Sequence, residues 1–191
     1  MRMNLLNRKF MKNNEPAQVD KKITLLSFSL DHGGAEKVCL TLCNEFVRRN
    51  YETELWIINY RESSLTGELN SKIKLFKLNR KHVRNSLIPL IKLLIRRRPQ
   101  KILIFHIELA VLIIALKTLL FLKTAVIVRS INTLSRAYDY PSGIWEKYLA
   151  RPVIKWILPR SDIIIAQSTG MYRDMIINFN IPRERLVTMH N

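Results

Sequence analysis

The residues best suited to bind an anionic ligand lie in one short segment near the start of the chain. Two adjacent glycines, Gly33 and Gly34, follow an apolar run and head a segment of helical periodicity. Glycine lets the backbone approach a ligand closely, and the amides at a helix N-terminus favour phosphate because they carry partial positive charge. A tight turn that needs glycine only for its backbone angles would give the same pattern. The pair predicts either a phosphate site or such a turn.

Other polar residues follow the later β-rich runs of the chain. Ligands of open parallel sheets bind outside the carboxyl ends of the strands, which makes the residues just after each predicted strand candidates for the site. The candidates are His32, His106, Arg129, Asn132 and Ser168. A lone histidine is more often structural than catalytic. Ser168 is also placed to cap the helix that follows it, which alone would explain its presence.

Several other chemistries lack their sequence signals. Neither the glycine pattern of dinucleotide-binding enzymes nor that of P-loop NTPases is present. Cys39 and Cys43 lie on an apolar helical stripe, and the histidines are scattered without metal-ligand spacing. We therefore expect core cysteines in a reducing compartment, no metal and no other cofactor.

The order of the elements predicts a Rossmann-like α/β fold. Short β-rich runs alternate with longer stretches of helical periodicity, as in a doubly wound parallel sheet of about seven strands. Continuous apolar runs, such as residues 102–105 and 163–165, are typical of strands buried on both faces. The predicted strands are 23–29, 53–59, 73–78, 101–105, 125–129, 163–166 and 186–189. The predicted helices are 34–49, 87–97, 108–122, 144–158 and 171–179.

The most polar and the most apolar regions of the chain set further expectations. Residues 1–21 are polar and mixed in charge, without the apolar stretch of a signal peptide, and we expect a flexible leader before a domain at 22–191. The most apolar region, 102–128, is interrupted by charged residues, which favours a strand, a helix and a strand over a transmembrane helix. A cytoplasmic location is expected.

The charge balance is strongly basic. The chain carries 32 Lys and Arg against 15 Asp and Glu, a net charge of +17, which attracts anionic partners. Positive charge concentrates beside the apolar stripe of the helix predicted at 87–97, at Arg84, Lys92, Arg96, Arg97 and Arg98. Such a helix predicts either docking on an anionic membrane surface or an ordinary solvated face. Nucleic acid is not an expected partner, because no aromatic residues alternate with the arginine run.

Two motifs resemble those of GT4-type glycosyltransferases, which have the GT-B fold. Residues 33–38, Gly-Gly-Ala-Glu-Lys-Val, are similar to the Gly-Gly-Ala-Glu-Arg/Lys-Val signature that opens many of these enzymes. Residues 161–168, Ser-Asp-Ile-Ile-Ile-Ala-Gln-Ser, resemble the family's strand and loop a-D-x-v-v-a-x-S. Both stand in the family's order, and the resemblance spans residues 22–191. It identifies the chain as similar to the N-terminal, acceptor-side half of such an enzyme.

The resemblance implies a retaining transferase that moves a sugar from a nucleotide sugar to a lipid-linked, lipopolysaccharide or polysaccharide acceptor at the inner face of the cytoplasmic membrane. Gly33 and Gly34 would contact the donor phosphates through backbone N–H groups. Relatives often have Arg-x-His-Asn after the fifth strand. Here Ile131 takes the histidine position, so that histidine contact is not implied.

The family's donor-binding half, with its Glu-x7-Glu element, is expected to be absent from this sequence. The resemblance therefore predicts that the chain alone is inactive and needs that half or a partner subunit. The alternative is a non-catalytic module that binds membranes or nucleic acid.

Overall fold

A computed structural model of the chain describes residues 21–31, 33–139 and 150–190. In these residues, seven strands form one sheet in which every neighbouring pair is parallel. The strands are β1 (Lys22–Ser27), β2 (Glu52–Ile57), β3 (Lys74–Lys77), β4 (Lys101–Ile104), β5 (Ala125–Arg129), β6 (Ile163–Ala166) and β7 (Leu186–Thr188). Their order across the sheet is β3-β2-β1-β4-β5-β6-β7. The predicted fold class is confirmed, with each strand within a few residues of its predicted bounds.

Helices connect consecutive strands. They are α1 (Gly34–Arg48), α2 (Ser64–Gly67), α3 (Leu87–Arg97), α4 (Ile107–Leu119), α5 (Leu134–Asp139), α6 (Arg151–Ile157) and α7 (Thr169–Phe179). Short 3-10 turns occupy Val83–Ser86, Leu158–Arg160 and Arg183–Arg185. The short helices α2 and α5 were not predicted. The first part of the helix predicted at 144–158, and the leader proposed for 1–20, lie outside the described residues.

Two apolar clusters cover the two faces of the sheet. On one face, Cys39 and Cys43 of α1 pack with Leu25, Leu55 and Phe105. The other face carries apolar side chains of α3, α4, α6 and α7, packed against alternate residues of the same strands. Both cysteines are buried and reduced, which confirms their predicted place in the core. Helices on both faces explain why the central strands are apolar throughout.

The sheet has a topological switch point between β1 and β4. These strands pair directly, with Leu25 opposite Leu103, although β2 and β3 separate them in sequence. From β1 the chain builds outward to β3, and it then returns to build β4 to β7 on the other side. The loops after β1 and β4 diverge at such a point and leave a crevice, where open α/β sheets bind ligands.

An ion pair between β2 and the C-terminal end of α3 ties this helix to the sheet. The Arg97 guanidinium bonds the Glu54 carboxylate on β2, with Nε 3.0 Å from Oε1, and the Glu54 side chain is 1% exposed. Trp56 Nε1–H donates to the other Glu54 oxygen at 3.2 Å. This corrects the prediction for Arg97, whose side chain is 32% exposed and is bound to a buried carboxylate instead of standing free on the basic surface. Exposed side chains of that surface are Arg84, Lys92, Arg96 and Arg98.

Candidate functional site

The loop between β1 and α1 places both glycines at the carboxyl edge of the sheet, where they are exposed. Gly33 has extended backbone angles, with φ −84° and ψ 159°, and no described glycine has positive φ. A Cβ added at Gly34 would meet no atom within 4 Å. The turn therefore does not need glycine for its backbone angles, although a side chain at Gly33 would collide with Glu36.

The N-terminus of α1 offers free backbone donors. In the part of the chain that the structure describes, no side-chain hydrogen bond caps this end of α1. The first N–H groups of a helix have no partner within the helix, and the helix dipole makes their surroundings positive. The uncapped amides of exposed Gly34 and half-buried Ala35 thus form a suitable place for a phosphate oxygen.

Glu36 lies across this loop, which sequence analysis did not predict. A Cβ on Gly33 would stand 2.0 Å from Glu36 Oε2, so the carboxylate packs directly over the glycine. Its other oxygen is 3.5 Å from Ser29 Oγ. From the far side, Ser63 Oγ–H donates to the Leu30 carbonyl at 2.7 Å and ties the loop to the segment after β2. The backbone is held in place, while the carboxylate is the part of the loop that an anion would have to displace.

His106 stands on the other side of the crevice, immediately after β4. Its ring meets Phe28 edge-on, with centroids 6.2 Å apart. Its Nδ1 is buried without a hydrogen-bond partner in the described structure. Burial lowers the His106 pKa below its usual value, and the nearby Glu108 and Glu36 oppose this only in part. The lowered pKa favours the neutral imidazole at neutral pH.

The loops after β5 and β6 are held by polar contacts between them. Gln167 Nε2–H donates to the Ser130 carbonyl at 2.8 Å, and Ser130 Oγ–H donates to the Asn132 carbonyl at 2.9 Å. Asn132 is exposed, whereas Arg129 is only 5% exposed and its pKa is lowered by burial. Of the two predicted cleft residues, Asn132 is open to solvent and Arg129 lies within the protein.

Ser168 acts as the cap that the sequence allowed. Its hydroxyl oxygen accepts from Met171 N–H at 3.2 Å, which begins α7. Asp174 on α7 is buried, and its carboxylate accepts from Ser135 N–H at 3.1 Å at the start of α5. This carboxylate, which sequence analysis missed, fixes the loop that carries Asn132. The only feature of the sequence that points to Asp174 is that a charged residue lies on the buried face of an amphipathic helix.

Two predictions lie beyond what these contacts test. His32, between Asp31 and Gly33, is outside the described residues. Among the described side chains, no group of three or more His, Cys, Asp or Glu could hold a metal ion, and the expectation that no metal is needed stays a prediction.

Comparison of the sequence and the structure with known proteins assigns the chain to a family. Residues 32–191 match the sequence profile of Glycosyltransferase Family 4. No curated protein sequence matches the chain. Among solved structures, the apo form of the lipopolysaccharide outer core galactosyltransferase WaaB is 12% identical with a TM-score of 0.62, over 89% of this chain and 45% of that one.

Two other solved structures share the fold. HepE from Anabaena in complex with UDP-glucose is 14% identical with a TM-score of 0.62, over 89% of this chain and 43% of its own. Sucrose-phosphate synthase from Thermosynechococcus elongatus is 9% identical with a TM-score of 0.61, over 88% and 47%. The chain thus spans less than half the length of these structures, and the sheet described here corresponds to one half of their GT-B fold. With most of its length matched by the family profile, the chain belongs to glycosyltransferase family 4.

Proposed function

We propose that this chain is the acceptor-side half of a retaining glycosyltransferase that uses a nucleotide-sugar donor. One observation carries the proposal: two exposed glycines, not required by the backbone angles, head an uncapped helix beside the switch point of the sheet. HepE, which shares the fold, has been solved with UDP-glucose. A diphosphate is the ligand that this helix end suits best.

In the proposed reaction, the bond between the sugar C1 and the donor phosphate oxygen breaks, and the diphosphate leaves with the electron pair. Backbone N–H groups of Gly34 and Ala35 donate to that diphosphate and stabilise its growing charge. A glycosidic bond forms to an acceptor hydroxyl, whose proton is released. Half-buried His106, on the other side of the crevice after β4, is the side chain that we propose to orient that hydroxyl. The acceptor class that we propose is a lipid-linked or polysaccharide glycan.

The proposal predicts that the 191-residue chain by itself transfers no sugar. The described site provides contacts for a diphosphate but no contacts for the base or the sugar, and the chain covers 45% or less of WaaB and HepE. The measurement is release of nucleotide from sugar nucleotides in the presence of lipid-linked acceptors. Sustained turnover by the pure chain, or nucleotide binding at micromolar concentration, contradicts the view that a second half or partner subunit supplies the donor site.

We also propose that the chain attaches peripherally to the inner face of the cytoplasmic membrane. Exposed Arg96 and Lys92 share α3 with Ile88 and Ile95, which are 64% and 47% exposed. An apolar ridge lined by cations suits anionic lipid. No helix in the described ranges is long and apolar enough to cross a bilayer.

Replacing Arg96 and Arg98 together by glutamine should weaken binding to anionic vesicles roughly 30-fold, since each cation near a lipid surface contributes about 1 kcal/mol. Binding should also fall steeply with added salt. Vesicle sedimentation measures both effects. The matched control is the double change Arg173→Gln and Arg183→Gln, which removes the same charge from exposed sites on and after α7. Equal loss in both variants, or equal binding to neutral vesicles, speaks against this surface.

A further inference from the structure

The turn after α4 exposes apolar side chains that the domain leaves uncovered. We call residues 119–123, Leu-Leu-Phe-Leu-Lys, the α4 turn. Phe121 is 93% exposed and Leu119 is 70% exposed. Phe121 is the most exposed of the large apolar side chains in the described structure. The sequence predicted residues 119–122 as the end of the helix at 108–122 in the most apolar region of the chain, so their exposure is a finding of the structure.

The backbone conformation at position 121 of the α4 turn is one that a phenylalanine rarely adopts. Leu122 N–H donates to the Lys117 carbonyl at 2.9 Å, and Phe121 N–H donates to the Thr118 carbonyl at 3.3 Å. These two bonds form a Schellman motif, in which the residue directly after the helix C-cap adopts a left-handed conformation. That residue is usually glycine. Phe121 occupies it with φ 51°. A bulky residue is strained there, and its exposed ring contributes no core packing, so neither local structure nor stability explains it.

Positive charge surrounds the same turn. Residues of the α4 turn and the segment after α3 together line a cavity of about 370 Å³, which includes Arg98, Gln100, Lys123 and Thr124. No acidic side chain lines it. The two segments are joined where Ala125 N–H donates to the Gln100 carbonyl at 2.7 Å. Asp162 lies nearby, but its carboxylate is bound by Lys117 Nζ at 2.7 Å.

We propose that the α4 turn inserts into an anionic lipid bilayer, with Phe121 and Leu119 at the boundary between headgroups and acyl chains and with Arg98 and Lys123 on lipid phosphates. The inference rests on the proposed membrane attachment and names the residues that enter the membrane. Cations around an exposed aromatic ring suit an anionic lipid surface, because the ring gains apolar burial while the cations stay at the headgroups. Insertion of the α4 turn differs from docking by the exposed face of α3 alone, because that face presents no aromatic side chain.

The test separates membrane binding from stability. Phe121→Gly places the preferred residue at a left-handed position, so the urea midpoint of unfolding should stay unchanged or rise. Binding to vesicles that contain anionic lipid should fall at least about tenfold, the effect of losing one buried aromatic side chain. The matched control is Ile177→Ser on α7, where the side chain is 72% exposed and no effect on vesicle binding is expected. Unchanged vesicle binding by Phe121→Gly overturns the proposal.

A second measurement locates the turn directly. A polarity-sensitive fluorophore on Phe121→Cys should shift to the blue and be quenched by brominated lipids in anionic vesicles. The same label on Thr41→Cys, exposed on α1 across the sheet, should not respond. The native cysteines are buried, which directs the label to the new site.

Each outcome of the labelling has a separate meaning. If the protein sediments with vesicles while the label at 121 stays aqueous, insertion by the turn is wrong and membrane attachment stands. If no vesicle binds the chain, both fail. A blue shift already present without lipid would assign the turn to contact between copies of the chain, which also overturns insertion.

Discussion

Replacing Arg97 with glutamine is expected to lower the free energy of unfolding by about 3 kcal/mol, because it leaves a buried carboxylate without its cation. Glu54 is fully buried on β2, and Arg97 supplies three of its contacts while Trp56 supplies the fourth. Removing one partner of a buried pair costs far more than removing both. Chemical denaturation with urea, followed by circular dichroism, measures the change.

The controls use neighbouring residues of the same arginine run. Arg96→Gln removes an equal charge from an exposed side chain one residue away, and we expect a change of about 0.5 kcal/mol or less. The double variant Glu54→Gln and Arg97→Gln should recover part of the lost stability, because no buried charge is then left unpaired. If Arg97→Gln is as mild as Arg96→Gln, the ion pair does not anchor α3 to the sheet.

An aspartate at position 34 is expected to weaken binding of UDP to this chain by about 100-fold or more. The Gly34 position is open, so the side chain fits, and an acidic residue in the first turn of a helix is favourable by about 0.5 kcal/mol. The same charge repels a diphosphate bound at the α1 amides, at several kcal/mol for unit charges about 4 Å apart in a protein surface environment. Stability and ligand binding should therefore change in opposite directions.

A matched glycine provides the control for Gly34→Asp. Gly67 in α2 is exposed, and an added Cβ there also meets no atom within 4 Å, so Gly67→Asp makes the same change away from the crevice. UDP affinity from phosphorus NMR titration and urea midpoints should be compared for both variants. Equal loss of affinity in the two would mean that added negative charge acts on the domain as a whole. The loss of affinity in Gly34→Asp would then not be evidence for a diphosphate site at the N-terminus of α1.

Local patterns made most of the sheet predictable. The apolar run Ile102–Phe105 predicted a strand buried on both faces, and β4 lies in the middle of the sheet with Ile102 and Ile104 fully buried. Ser168 was predicted as a cap from its type and position, and its hydroxyl accepts from Met171 N–H. Such signals depend on residues close in sequence, where propensity and periodicity act.

Long-range pairing could not be predicted from the sequence. Arg97 looked like one of three equivalent cations at a helix end, yet its partner Glu54 lies 43 residues earlier on a strand. Phe121 belonged to an apolar run that suggested a core helix, and only the end of α4 at Leu119 turns its ring outward. Glu36 was part of a recognised motif, but its position over Gly33 depends on the fold of the loop. In each case tertiary geometry decides what a side chain does.

On the proposed function, the N-terminus of α1 binds the diphosphate of a nucleotide sugar. Titration of the ¹⁵N-labelled chain with UDP, followed through its backbone amide resonances, tests that claim most directly. We predict that the largest shifts, saturating at millimolar UDP, fall on Gly33, Gly34 and Ala35, with smaller shifts around His106 across the crevice. Shifts confined to the basic segment around Arg96 and Arg98, with the glycine amides unmoved, would contradict the account.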